Sequence, residues 1–134
     1  MPSRLAALAA FVVLLTGCGA TQETSSGRYS GEEKRVAQIV DDLQAAGQAA
    51  DGDKICTRIL AKPLADRLAA GGRSCAQEVE DAIADADEFT FEVLDVTVAG
   101  QSATARVKEG SGRGRTLGLV RDGKDWRVQE LATG

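Results

Sequence analysis

The stretch FTFEVLDVTV, residues 89–98, changes phase in its middle. Phe89, Phe91 and Val93 alternate with Thr90 and Glu92, and then Leu94, Val96 and Val98 alternate with Asp95 and Thr97. Alternation with period two marks a half-buried strand. A slip by one at Val93-Leu94 predicts a β-bulge, which bends the strand while keeping the apolar side chains on one face. Upstream the period is helical. Ser30 with Glu33 has the form of a capping box, and Val36, Ile39, Val40 and Leu43 recur at helical spacing, which predicts a helix over residues 31–50. Asp51, Gly52 and Asp53 break it and can cap a second helix with Ile55, Cys56, Ile59 and Leu60. Pro63 suits the first turn of a short third helix that Gly71 and Gly72 end. Ser74 with Gln77 repeats the capping pattern before a fourth stripe of Cys75, Val79, Ile83 and Ala86.

Downstream the strands continue. Gly100 marks a turn, Ala103, Ala105 and Val107 alternate in a second strand, and GSGRG is a flexible connection. Leu117, Leu119 and Val120 give a third strand, Asp122-Gly123 a tight turn, and Trp126, Val128 and Leu131 a fourth. Short turns require an antiparallel meander. Helices first and a bent antiparallel four-stranded sheet wrapped over them is an α+β arrangement.

The N-terminus reads differently. Arg4 precedes LAALAAFVVLL, residues 5–15, an apolar run of 11 residues. A helix needs about 20 residues to cross a bilayer, so this run suits an export signal. Leu15, Thr16, Gly17 and Cys18 follow, and this quartet resembles the lipobox of bacterial lipoproteins. The resemblance implies a signal peptide over residues 1–17, cleavage before Cys18, and a diacylated Cys18 as anchor. It places the protein on the extracytoplasmic face of the cell membrane. Two acyl chains suffice for stable attachment where one does not. Residues 18–27 then form the lipidated cysteine and a flexible, small and polar tether, and residues 28–134 a single domain.

Element order, the long bent strand, VAGQSATARV (residues 98–107) and the closing DGKDWRVQEL (residues 122–131) resemble the nuclear-transport-factor-two-like superfamily. More narrowly, they are similar to small bacterial lipoproteins carrying such a domain. The resemblance implies a cone-shaped, nuclear-transport-factor-two-like or cystatin-like fold. It implies no single activity, because that superfamily hosts enzymes, ligand binders and interaction modules.

Composition removes several classes. Without its first 17 residues the chain has a net charge of −5, against the basic balance of nucleic-acid binders. Residues 78–95 carry 8 acids and no base, while residues 106–127 carry 7 bases and 3 acids. Such runs are solvated faces or steer partners. There is no histidine, which excludes a histidine-based triad, an imidazole metal site and a histidine pH switch.

Cys56 and Cys75 are the remaining cysteines. An even pair in an exported chain reads as a disulfide closing a loop of about 20 residues. Buried free thiols are the alternative; two thiolates without histidine make an incomplete zinc site, and a catalytic cysteine would lack its base. The positions that alternation turns inward, Phe89, Phe91, Val93, Leu94, Val96 and Val98 with Ala103, Ala105, Val107, Trp126 and Val128, include no ionisable group. The superfamily's isomerising and dehydrating enzymes place a carboxylate, histidine or tyrosine deep in the cone, so the expectation here is no enzyme, no metal and no cofactor. Phe89, Phe91 and Trp126 either line an apolar pocket or form the core.

Two functions follow: a non-catalytic interaction or accessory domain for an unidentified envelope protein, or a binder of a small apolar ligand between helices and sheet. A cavity above about 300 Å³ discriminates them. The outer sheet face, with Thr90, Glu92, Asp95 and Thr97 beside Thr104, Arg106 and Lys108, is too charged to bury against a twin. The expected state is therefore a monomer.

Overall fold

The computed structural model describes residues 24–131 of the 134-residue chain. The expected signal peptide and lipobox, with Cys18, lie outside the described residues.

Helix α1 (Gly31–Gln48) buries Val36, Ala37, Val40, Leu43, Ala46 and Gly47, the face that the periodicity marked. Its first turn departs from expectation. Ser30 makes no side-chain cap bond, so the Ser30–Glu33 capping box does not form. The helix stops at Gln48 because Ala50 enters the left-handed region at φ 51° and the Asp51 amide closes onto the Ala46 carbonyl. Asp51 then caps the short α2 (Gly52–Lys54) by accepting from the Lys54 amide at 3.0 Å.

The continuation is a π-turn, Ile55–Ile59, closed by the Leu60 amide on the Ile55 carbonyl. The wider turn lets both Ile55 and Ile59 reach the core. Helix α3 (Lys62–Leu68) carries Pro63 in its first turn, and Gly72 at φ 88° ends the 3₁₀ turn behind it. Helix α4 (Cys75–Asp85) starts with the full capping box. The Gln77 amide donates to Ser74 Oγ at 3.2 Å and the Ser74 amide to Gln77 Oε1 at 3.1 Å.

Strands β1 (Phe91–Ala99), β2 (Ser102–Glu109), β3 (Gly114–Asp122) and β4 (Asp125–Leu131) form one antiparallel sheet in the order β1-β2-β3-β4. The bulge falls where the sequence slips: Val93 pairs with Val107 and Asp95 with Arg106, leaving Leu94 as the extra residue. Its consequence is the reverse of the expected one for that residue. Leu94 is turned outward beside Asp95 and is 41 % exposed, while Val93 and Val96 on either side are buried. Accommodating one extra residue places two successive side chains on the same side. On the outer face the register sets Glu92 opposite Lys108 and Asp95 opposite Arg106. A second bulge, at Gln129 between the Leu119–Val128 and Gly118–Glu130 pairs, has no counterpart in the sequence reading.

Both sheet edges are engaged over part of their length. At β4, Leu60 bridges Val128 in parallel, the Ala61 amide donates to the Val128 carbonyl at 2.8 Å, and Arg127 Nη1 donates to the Thr57 carbonyl. At β1, Gln44 Oε1 accepts from the Phe91 amide and Gln48 Nε2 donates to the Phe89 carbonyl. The 3₁₀ turn Ser25–Arg28 completes this edge. The Ser25 and Ser26 amides donate to the two oxygens of Asp41, each at 3.0 Å, Ser25 Oγ accepts from the Val93 amide, and Arg28 Nη2 donates to the Val93 carbonyl at 2.6 Å. Unpaired edge groups invite pairing with another chain, and here side chains occupy them. Ser25 and Ser26 are thus fastened to the domain, within the segment that composition reads as tether. Tyr29, just beyond the tether, packs against the core.

Candidate functional site

Helix α1, the π-turn and α3 lie on the inner face of the sheet, and Trp126, Ile55, Ile59, Val36, Val93, Val107 and Val128 fill the space between. Trp126 is 1 % exposed and is the largest fully buried side chain. Its indole Nε1 donates to Glu32 Oε2 at 2.9 Å, and Arg121 lies 5.6 Å from the ring centroid with Nη2 3.3 Å from Glu32 Oε1. Glu32 thus reaches across to β4 where the sequence suggested only a helix start. The Trp126 hydrogen bond, with Arg121 and Arg35 nearby, holds its carboxyl below the usual carboxylate range, against the desolvation that opposes it.

A depressed folded-state pKa means that the ionised form supports the fold above the ordinary carboxylate value, about 4.3, and that this support fades as the pH falls through the folded value. Glu32→Gln, which removes the charge, should therefore lower the melting temperature at pH 7. The gap to the parent protein should narrow toward pH 3. A gap that is the same at both pH values would refute the charge contribution.

The aromatic residues do not share one pocket. Trp126 belongs to the core and borders an open polar groove of about 710 Å³ between α1 and the β3–β4 turn, with Arg35, Asp41, Asp42, Lys124 and Asp125. Phe89 and Phe91 instead line a separate cleft of about 280 Å³ between α4, α1 and the sheet. The two rings meet edge to face, with centroids 5.0 Å apart. Phe89 lies against Gly47 so closely that a Cβ there would stand 1.8 Å from Phe89 Cε1. Glycine in the last turn of α1 is what lets this ring approach so closely.

The remaining wall comes from Leu43, Ile55, Leu60, Leu68, Val107, Leu117 and Leu131, with Val79, Ala82, Ile83 and Ala86 on α4. None of the eleven residues of α4 is fully buried; Val79 and Ile83 pack half-buried against the core and also line this cleft. Cys56 and Cys75 form the disulfide, tying the π-turn to the first residue of α4. Gly52 lets the two segments approach, since a Cβ there would meet the Ala76 carbonyl oxygen at 2.6 Å.

Charge reaches the cleft only at its rim. Glu78, Glu109 and Arg115 are its three charged lining residues. Arg115 Nε lies 2.8 Å from Glu109 Oε2, and Glu78 is 3.5 Å from Arg73 Nε. Arg73 also pairs with Asp81, which raises its pKa further and keeps it charged. The sequence marked Phe89 and Phe91 but gave no sign of these rim pairs, which join residues of different elements or flank a helix start. Among the described residues, no group of three or more Asp, Glu or Cys is placed to hold a metal ion.

Fold and cleft together define a small α+β domain with a bent antiparallel sheet and one apolar opening beside α4. No known family, curated protein or solved structure matches the chain.

Proposed function

We propose that this protein is a lipid-anchored extracytoplasmic domain that acts by binding, serving as an interaction or accessory module in the cell envelope. The sheet bent over α1 and α4 supports a nuclear-transport-factor-two-like reading of the fold. The observation that carries the non-catalytic part is the cleft: its interior wall is hydrocarbon, and the charged groups at its rim are engaged in ion pairs. A general acid or base must stand within hydrogen-bond reach of a reacting group, and paired rim residues are poor candidates for that role.

The anchor rests on Leu15, Thr16, Gly17 and Cys18. The Ser25 to Arg28 turn is fastened to Asp41 and Val93, so residues 19–24 alone would join the lipid to the fold. Cys18→Ala should leave the signal uncut by the lipoprotein peptidase and the chain free of lipid. Mass spectrometry of the parent protein should find acyl chains on an N-terminal Cys18. An unmodified N-terminus at another residue would sink this reading.

The apolar lining of the cleft supports a second reading, a small apolar ligand, while its volume falls below the about 300 Å³ that would decide for it. Dense packing leaves few voids beside a protein core, and an apolar cleft left open there can accept an apolar molecule. At about 280 Å³ the opening lies just under the lower end of ordinary ligand sites, so an occupant would be small.

A further inference from the structure

We propose that the cleft beside α4 and the polar groove next to it form one docking site for a cationic segment of an envelope protein, a stretch with a single large apolar side chain flanked by Lys or Arg; this rests on the interaction reading above. Three observations lead there. The cleft measures about 280 Å³, under the size of ordinary sites for free ligands. A cavity of about 150 Å³ suffices for benzene, so this opening admits one aromatic or large aliphatic side chain. An anchor delivered by a longer segment needs no more room, because the surface around the cleft shares the contacts, as at interfaces where one side chain fills a pocket.

Second, the cleft continues past its apolar wall. Ala86, Glu109 and Arg115 also line a neighbouring groove of about 440 Å³ between the α4–β1 connection and the β2–β3 turn, where Asp87, Glu88, Ser111 and Arg113 make it polar. An apolar pocket that opens into a polar groove suits a segment whose anchor is buried while its neighbours stay in water.

Third, the charge around the site is negative. Glu78 and Asp81 share Arg73, and Glu109 pairs with Arg115. Glu80, Asp85, Asp87 and Glu88 are exposed and make no ion pair among the described residues, against Arg113 as the one base of the two openings in that position. Each exposed carboxylate contributes little alone, but a cluster of one sign draws a partner of the opposite sign and turns away one of its own. That decides the occupant. An anionic bilayer surface carries the wrong charge, whereas Lys or Arg beside the anchor meets the carboxylates. The acidic run of residues 78–95 thus borders the apolar opening and gives its partner a sign.

The test uses residues 18–134 with Cys18→Ala, which keeps the whole described fold and its disulfide without the lipid. Amide chemical shifts of the isotope-labelled protein are followed at low salt during titration with short synthetic peptides: a central Phe or Leu flanked by Lys, the same with Ala at the centre, and the same with Glu for Lys. Vesicles of phosphatidylglycerol form a separate arm. The expected result is a set of shifts over α4, residues 86–91 and residues 109–115 with the Lys-flanked Phe or Leu peptide. Its Kd should lie at least about tenfold below that of either altered peptide, and the gap to the Glu peptide should narrow as salt is added. The double variant Asp87→Lys, Glu88→Lys changes two exposed side chains, so it should weaken this peptide about fivefold at an unchanged melting temperature.

Equal binding of the Glu peptide would overturn the cationic partner, and equal binding of the Ala peptide would overturn the anchor. Shifts at the cleft from the anionic vesicles would make a bilayer the occupant and overturn the proposal as well. If the peptides shift only amides of another face, the proposal fails while the interaction reading stands. No shift anywhere from peptides of either charge counts against both.

Discussion

Trp126→Ala is expected to cost about 3–5 kcal/mol of stability, the range for truncating a large buried aromatic residue. The ring is the largest side chain in the core and is almost wholly enclosed, so its removal leaves a void that the rigid sheet and α1 cannot close. Two further losses accompany the void. Glu32 loses the indole N–H that its carboxylate accepts, and Arg121 loses the ring beneath it.

Against a typical domain stability of about 5–15 kcal/mol, such a change can unfold a substantial fraction of the protein at physiological temperature. Trp126→Phe separates the contributions, because it keeps most of the apolar volume and removes the hydrogen bond. Its expected cost is about 1–3 kcal/mol, the order for a charge-assisted hydrogen bond. Urea unfolding followed by far-ultraviolet circular dichroism measures both variants. A loss below about 1 kcal/mol for the alanine variant would mean that the interior collapses around the site far more readily than this packing allows.

Breaking the Cys56–Cys75 bond is expected to cost about 3 kcal/mol, because the cross-link spans a sequence separation of 19 and restricts the unfolded chain accordingly. For a domain of this size that is a fall in melting temperature of roughly 10–20 °C. The effect should also have a location. Helix α4 has no fully buried residue, only Cys75, Val79 and Ile83 half-buried against the core, and takes the disulfide at its first position, so the bond is a large part of its hold on the fold. In the double variant Cys56→Ser, Cys75→Ser, amide exchange should accelerate first over Cys75–Asp85 and only later in β2 and β3. A melting temperature within 2 or 3 °C of the parent, by the same per-residue scaling, would show that the helices hold α4 without the bond.

Much of the architecture was legible because it depends on neighbours in the chain. The Ser74–Gln77 cap, the Asp51 cap, the place of Pro63 in α3, the turns at Gly100 and near Gly123 and the slip in β1 are all decided within a few residues. The Ser30–Glu33 pattern shows the limit of such reasoning: Ser30 makes no side-chain cap bond there, and the acidic residue that matters is Glu32, which reaches Trp126 at a separation of 94 residues. Leu94 shows another. Alternation located the bulge, yet the side to which the extra residue points follows from how β1 pairs with β2.

The candidate site was legible only in part. Phe89 and Phe91 were named, but Trp126 was grouped with them, since apolar aromatic residues on one face of a sheet look equivalent until the helices are placed.

The sequence by itself determined the α+β order, the helix starts and turns, the bent first strand and the cysteine pair, because caps, periodicity and turn residues act over one or two turns of chain. Only the tertiary structure decided that Ser25 and Ser26 are fastened to Asp41, that Phe89 lies on Gly47, and that α4 leaves a cleft where it could have packed. Those outcomes depend on how far apart a helix and a sheet come to rest. That distance is set by all the side chains between them at once, so no local pattern encodes it.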